Sequence, residues 1–261
     1  MTVPILAILQ ARMSSTRLPG KVLKPLLGQP MLLRHMERLR RSRTLGLLLV
    51  ATTDHDSDTP LAQLCADHGI PCFRGAMDDV LDRFWQAAAP YAPEHIVRLT
   101  GDCPLADPEV IDRVVAAHLD GGFDYTSNTL TPTWPDGLDV EVVRAPCLHQ
   151  AWTEAELPSE REHVTPFVKT RPERFRLHNV VNDRNLSALR WTVDEPEDFA
   201  FVERVYGALY PHRPDFGSAD ILDLLARDPA IADLNANFER DAGYRKTLLQ
   251  DAQFLAGKEH P

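Results

Sequence analysis

Gln10-Ala11-Arg12-Met13-Ser14-Ser15-Thr16-Arg17-Leu18-Pro19-Gly20-Lys21 is the stretch on which the reading of this chain turns. It follows an apolar run, Val3 to Leu9, that reads as a first strand, and it crowds three cations, three hydroxyls and a Pro-Gly turn into one loop. Small hydroxyl residues let successive backbone N–H groups turn inward as an anion nest, and Arg12, Arg17 and Lys21 add the charge that a triphosphate requires. The pattern Gly-x-x-x-x-Gly-Lys-Ser/Thr is absent, so this is not a Walker loop. As a generic pattern, a basic loop after a strand reads equally well as a solvated turn.

Working outward, short apolar runs alternate with helical patterns, the signature of βαβ units and a largely parallel sheet. A helix opens at Pro30 with Leu32, Met36 and Leu39 on one face, and Leu47 to Thr52 reads as the next strand. Asp58 or Thr59 caps a helix carrying Leu61, Leu64 and Cys65; Ile70 to Phe73 is a strand; a helix from about Asp78 buries Val80, Leu81, Phe84 and Ala88. His95 to Leu99 is a strand, and Val110, Ile111, Val114, Val115 and Leu119 mark a helix. From Phe123 the rhythm changes: strands are expected at 123–127, 138–143, near 175–181 and at 189–193, then helices from Glu195 to Leu209 and beyond Ser218, with fraying from Lys258. The simplest organisation is one domain over 1–261, with an alternating half (1–122), a mixed-sheet half (123–215) and a helical appendage (216–261).

Composition narrows the class. With 261 residues, 44% of them apolar, the chain can fill a continuous α/β core. A net charge of −10 argues against nucleic acid as a partner, yet Met1 to Thr44 hold nine Lys or Arg against one acid, Glu37. The Arg38 to Arg43 group suits a helix C-terminus; the Arg12 to Lys24 group calls for a small anion. No stretch approaches the ~18 apolar residues of a membrane span and no basic leader precedes Val3, so a cytoplasmic protein with no membrane partner is expected. Cys65, Cys72, Cys103 and Cys147 lack a Cys-x-x-Cys pair or zinc spacing and read as reduced thiols.

Two carboxylates stand at strand ends. Asp102 follows the strand 95–99 and Asp194 follows Arg190-Trp191-Thr192-Val193, where open α/β sheets place their ligands. Each has an alternative role as the N-cap of a following helix. Asp139 and Glu141, two apart in an expected strand, share a face and suit acceptor hydroxyls, a second metal or water. His163, near the start of a helix, could orient an acceptor or sit on a surface beside Glu162.

The string Arg-Met-Ser-Ser-Thr-Arg-Leu-Pro-Gly-Lys resembles the signature loop of the cytidylyltransferase family, which includes the enzymes activating 3-deoxy-octulosonate and acylneuraminate, and most resembles its spore-coat polysaccharide biosynthesis protein F branch. The similarity continues through Val50-Ala51-Thr52-Thr53-Asp54, Arg74-Gly75 with Asp79 to Arg83, Thr100-Gly101-Asp102-Cys103-Pro104-Leu105, Asp136 to Glu141, Arg161 to Pro166 and Val193 to Asp198. The resemblance implies a Rossmann-like, glycosyltransferase-A-like nucleotide-diphospho-sugar transferase fold with a mixed central sheet and C-terminal helices. It also implies Mg2+-dependent transfer of CMP from CTP to a small-molecule acceptor, and a homodimer.

By that resemblance Arg12, Lys21, Asp102 and Asp194 are catalytic, the two aspartates holding the metal. Nucleotide contacts fall to Gln10, Ala11, Arg12, Ser14, Ser15, Arg17, Lys21, Thr53, Asp54, Asp82, Arg83 and Thr100, and acceptor contacts to Asp139, Glu141 and His163. Thr100 stands where the octulosonate enzymes carry glutamine, and their acceptor-binding segments are replaced here by Pro135 to Asp139. A metal-dependent glycosyltransferase of the same fold is the rival reading; its Asp-x-Asp motif would fall at Asp194 or Asp139, neither after the expected central strand.

Overall fold

The computed structural model describes residues 4–238, 240 and 242–259; the start of the first strand at Val3 and the last two residues of the chain lie outside the described residues. β1 (Ile5–Gln10) leads through the basic loop to a short antiparallel pair, β2 (Pro25–Leu26) and β3 (Gln29–Pro30), and then to α1 (Met31–Leu39) and β4 (Leu47–Thr53). α2 (Thr59–Asp67), β5 (Cys72–Gly75), α3 (Val80–Ala88), β6 (His95–Thr100) and α4 (Pro108–Gly121) continue the alternation. The second half adds β7 (Tyr125–Ser127), β8 (Glu141–Arg144), α5 (Ala145–Glu154), α6 (Pro158–His163), α7 (Pro166–Lys169), β9 (Leu177–Asn179), α8 (Pro196–Leu209), α9 (Ser218–Arg227) and α10 (Ala242–Glu259).

Seven of these strands form one sheet in the order β5-β4-β1-β6-β8-β7-β9. β5, β4, β1 and β6 are parallel, whereas β8 runs antiparallel to both β6 and β7. The sheet is therefore mixed, as expected. Chain order reverses at β1, between β4 on one side and β6 on the other, which opens a crevice at the carboxyl ends of β1 and β6.

β1 shows why the sheet is buried on both faces: Ala7 and Leu9 pack into one apolar cluster with α1, α4 and α8, and Leu6 and Ile8 into the other with α3 and α5. A period of two on a fully buried strand gives an unbroken apolar run. No helix of the described residues is long and apolar enough to cross a membrane.

The second half departs from expectation in three places. Residues 189–193 are not a strand; they run as a strap joined to the loop before β8 by an isolated Asp136–Arg190 bridge and by Trp191 N donating to Asp136 O at 2.6 Å. β8 starts only at Glu141 because the Asn128 amide stands in for a neighbouring strand, donating to Leu138 O at 2.7 Å and accepting from Val140 N at 2.9 Å. α10 continues through Lys258, whose ammonium meets Glu156 at 2.6 Å, so the expected fraying does not begin there.

Gly137 lets the strap lie this close. Its φ is +103°, and a Cβ there would stand 2.5 Å from Thr192 N and 2.6 Å from Trp191 C. We expect Gly137→Ala to destabilise the fold by about 2 kcal/mol in urea denaturation. An unchanged midpoint and slope would refute this account of the strap.

Candidate active site

A cleft of about 670 Å³ opens at the switch point, walled by Gln10 to Arg12, Ser15 to Arg17, Lys21, Arg98, Thr100 to Cys103, Asp136, Asp139, Glu141, His163 and Asp194. The basic loop folds over it because it is fastened from below. Asp58, fully buried, accepts from Met13 N at 2.7 Å and from Thr52 Oγ1, Thr53 N and Thr53 Oγ1 at 2.9, 3.0 and 2.6 Å. Burial alone would raise its pKa; these donors hold it below the usual carboxylate range. Asp58 stands at the N-cap of α2, as expected, but its side chain makes no cap hydrogen bond there and serves the loop instead. Its one sequence signal was an acid among polar residues just past a strand, which equally marks a cap.

Lys21 lies at the centre. Its buried ammonium donates to Val193 O at 2.7 Å, Asp194 Oδ1 at 2.9 Å and Asp102 Oδ2 at 3.3 Å. Burial pushes its pKa down, and the two carboxylates more than reverse this, leaving it above its ordinary value. Burial likewise opposes ionisation of Asp102, but Lys21, Thr100 and Cys103 hold its pKa at about 2. Neither aspartate is a helix cap: Asp107 caps α4, accepting from Glu109 N, and Glu195 is the N-cap of α8, where Asp198 accepts from the Asp194 and Glu195 amides. Both side chains are thus left to face the cleft.

The cations divide into two sets. Arg17 is tied to Asp194 at 2.8 Å and to Glu195 at 3.0 Å. Arg190, unremarked in sequence, grips Asp198 through two bonds of 2.8 Å and reaches Asp136 at 3.2 Å and Asp194 at 3.5 Å. Arg12, half-buried in the cleft wall, makes no ion pair or hydrogen bond among the described residues. Of the three loop cations only Arg12 is uncommitted; Arg17 and Lys21 already bridge to the acids.

Glu141 is buried under the cleft, paired with Arg98 and accepting from Tyr125 and Thr165 hydroxyls at 2.5 Å each. Burial raises its pKa, but Arg98 and Lys169 with these hydroxyls bring it to about 2. Arg98 also donates to Gln10 Oε1 at 3.2 Å; a lone arginine in the apolar strand His95 to Leu99 was the signal for it. Asp139, which precedes β8, pairs with Arg240 at 2.6 Å. His163 shares a hydrogen bond of 3.0 Å with Thr247 of α10, and burial, then Arg98, lower its pKa to about 4, so its ring is neutral at pH 7. Cys103 is no nucleophile: burial and Asp102 raise its thiol pKa well above the ordinary value.

Five of the expected nucleotide contacts do not line the cleft. The Thr53 hydroxyl is committed to Asp58, Asp82 accepts from the Trp152 indole at 2.8 Å, and Ser14 and Asp54 are exposed outside it. Arg83 is fully buried; its Nη1 donates to Ala76 O at 2.5 Å, and its Nε and Nη2 have no partner among the described residues. The α10 residues Tyr244, Lys246, Thr247 and Gln250 do line it, and nothing in sequence singled them out.

Among the described residues no group of three or more metal-ligating side chains is found. Asp102 and Asp194 nevertheless present carboxylate oxygens around one cation, a hard all-oxygen pair of the kind magnesium takes with phosphate and water.

The fold and cleft together define a nucleotidyltransferase. A cytidylyltransferase from Leptospira borgpetersenii serovar Hardjo-bovis (strain JB197) has the same architecture, with a TM-score of 0.85 and 31% identity, covering 91% of this chain and 100% of that one. A CMP:2-keto-3-deoxy-manno-octonic acid synthetase, solved with CTP, shares the fold at a TM-score of 0.60 and 17% identity, over 78% of this chain and 98% of the other. The family model described as cytidylyltransferase matches residues 6–210. The spore coat polysaccharide biosynthesis protein SpsF of Bacillus subtilis (strain 168) is 37% identical over 235 residues, 87% of this chain and 96% of that protein. The chain belongs to the cytidylyltransferase family.

The buried Glu141 gives a test of the site's electrostatics. Its pKa in the fold lies below the ordinary carboxylate value of about 4.3, so its contribution is complete above about pH 5 and is lost as pH falls towards 2. Glu141→Gln, which strands Arg98, is expected to cost about 3 kcal/mol at pH 7 and to flatten the loss of stability on acidification. Equal pH dependence in variant and wild type, measured by denaturation at pH 7 and pH 3, would overturn it.

Proposed function

We propose that this protein transfers CMP from CTP to a sugar-like, phosphorylated or phosphonate acceptor with release of pyrophosphate, supplying an activated precursor for a surface polysaccharide. The observation that carries it is the convergence of Asp102 and Asp194, from distant parts of the chain, on the single ammonium of Lys21 beneath the basic loop. Family membership and the relation to SpsF support the donor and the setting. The cytoplasm and a homodimer are the compartment and assembly that go with it.

In this reading the triphosphate lies along the loop, where Arg12 has a free guanidinium to offer, and Gln10, Ala11, Ser15 and Thr100 border the nucleotide. Asp102 and Asp194 would hold a magnesium ion, which would supply positive charge against phosphate oxygens. The acceptor oxygen attacks the α-phosphorus, the bond to the β-phosphate oxygen breaks, and pyrophosphate leaves. Lys21 fixes the two carboxylates, so the work is positioning and electrostatic stabilisation rather than covalent catalysis. Asp139, Glu141 and His163 stand on the acceptor side, Glu141 acting chiefly by fixing Arg98 and through it Gln10.

Pyrophosphate release with each nucleoside triphosphate, magnesium and a panel of 2-keto sugar acids, sugar phosphates and phosphonates tests the reaction directly. Release should require CTP and magnesium and stop on chelation; turnover with chelator present would remove the metal from the account. Asp102→Asn and Asp194→Asn should each lower kcat by at least about 100-fold with an unchanged circular dichroism spectrum. A near-wild-type rate in either would exclude that residue. Arg12→Ala should raise KM for CTP by about tenfold, and an unaltered KM would detach the loop from the triphosphate.

A further inference from the structure

The turn that carries Asp102 belongs to no helix or strand. Residues 101–107 lie between β6 and α4, so their backbone groups need partners from elsewhere. Within the turn, Cys103 O accepts from Ala106 N at 2.9 Å. On the cleft side Gly101 N donates to Gln10 O and Asp102 O accepts from Val193 N, each at 2.7 Å. The other three carbonyls between 102 and 106 are taken by two side chains that do not line the cleft. Tyr206 of α8 donates to Pro104 O at 2.8 Å; Arg38 of α1 donates through Nε to Ala106 O at 2.8 Å and through Nη2 to Leu105 O at 3.5 Å.

The sequence groups Arg38 with Arg40, Arg41 and Arg43 at a helix end, but the structure turns it inward. Arg38 is 2% exposed and Tyr206 1%. The Arg38 guanidinium stacks 4.3 Å over the Phe216 ring, which Tyr206 meets edge-on at 5.3 Å. Burying a guanidinium is costly, and here its fork is matched to two successive carbonyls of one turn, a geometry that the single ammonium of a lysine cannot reproduce. α1 and α8 thereby grip the turn on one side while β1 and the strap hold it on the other.

We propose that Arg38 and Tyr206 are positioning residues: by fixing the carbonyls of residues 104–106 they set where the Asp102 carboxylate stands relative to Asp194, and so how tightly the pair takes a divalent cation. The contact from Lys21 to Asp102, at 3.3 Å, is the longest of that ammonium's three, so the backbone of the turn does more than the ion pair to locate this carboxylate. Removing the groups that orient a metal-binding side chain costs about 10- to 100-fold in metal affinity. The assignment rests on the reading of Asp102 and Asp194 as the acids that hold the cation.

The test titrates Mn2+ into the full chain, held in excess over the α,β-methylene analogue of CTP so that little analogue is free to chelate the ion, and reads free Mn2+ by electron paramagnetic resonance. Arg38→Lys and Tyr206→Phe are each expected to weaken Mn2+ by about tenfold, while calorimetry at saturating Mn2+ finds analogue affinity within about twofold of wild type. Leu148→Ala, in the apolar cluster on the opposite face of the sheet, is the control: it lowers the urea midpoint and leaves Mn2+ affinity as in wild type. Should Arg38→Lys misfold, Tyr206→Phe, which loses one hydroxyl and keeps the ring, carries the test alone. Wild-type Mn2+ affinity in either folded variant, or an equal loss in Leu148→Ala, overturns the inference while leaving the two aspartates in their role. If the wild type binds no Mn2+ beside the analogue, or Asp102→Asn binds it as tightly as wild type, the reading of the aspartates falls and the inference with it.

Discussion

A buried ammonium must find oxygen partners, and in this protein that requirement on Lys21 organises the site. Its three acceptors come from the end of β6 and from the strap before α8, so satisfying one side chain draws together segments far apart in the chain. Taking a cation and two carboxylates partly out of water costs several kcal/mol, and their mutual attraction roughly offsets this. What the arrangement contributes is geometry. The two acids are held at a set spacing under the loop that carries Arg12.

Around this bracket the remaining charges act as a frame. Arg190 is clamped by Asp198 and Asp136 and keeps the strap against the loop before β8, where Gly137 allows backbone contact. Asp58 performs the corresponding task beneath the basic loop, tying Met13 to the end of β4. Asp198 and Asp58 are both buried carboxylates with most of their acceptor sites filled. Such groups rigidify, and rigid dipoles aimed at a developing charge need no reorganisation during the reaction. Gly101 adds a steric condition, since a Cβ there would stand 2.9 Å from that of Ala11 and separate β1 from β6 at the crevice.

The cleft has two chemically different ends of supply. At the loop and strap Arg17 and Lys21 are paired with acids, whereas Lys169 of α7 and Lys246 of α10 make no ion pair among the described residues.

The alternation of apolar runs, the mixed second half, the basic loop and the pair Asp102 and Asp194 were legible in the sequence, because periodicity and strand-end position are local properties. That those aspartates are not caps was not legible, because a cap and a cleft-facing acid look alike until Asp107 is seen to cap α4 and Asp198 to hold the Asp194 and Glu195 amides. The strap at 189–193 looked like a strand for the same reason: β-branched and aromatic residues fix an extended backbone but not its partner. Thr53 and Asp82 lie outside the cleft lining because a polar side chain near a strand end or helix start can turn elsewhere, and only the buried Asp58 and the Trp152 indole decide that it does. Tyr244, Lys246 and Thr247 sit in a helix whose sequence says nothing about the cleft. Their place there comes from packing against α6, a contact between segments that sequence proximity does not encode.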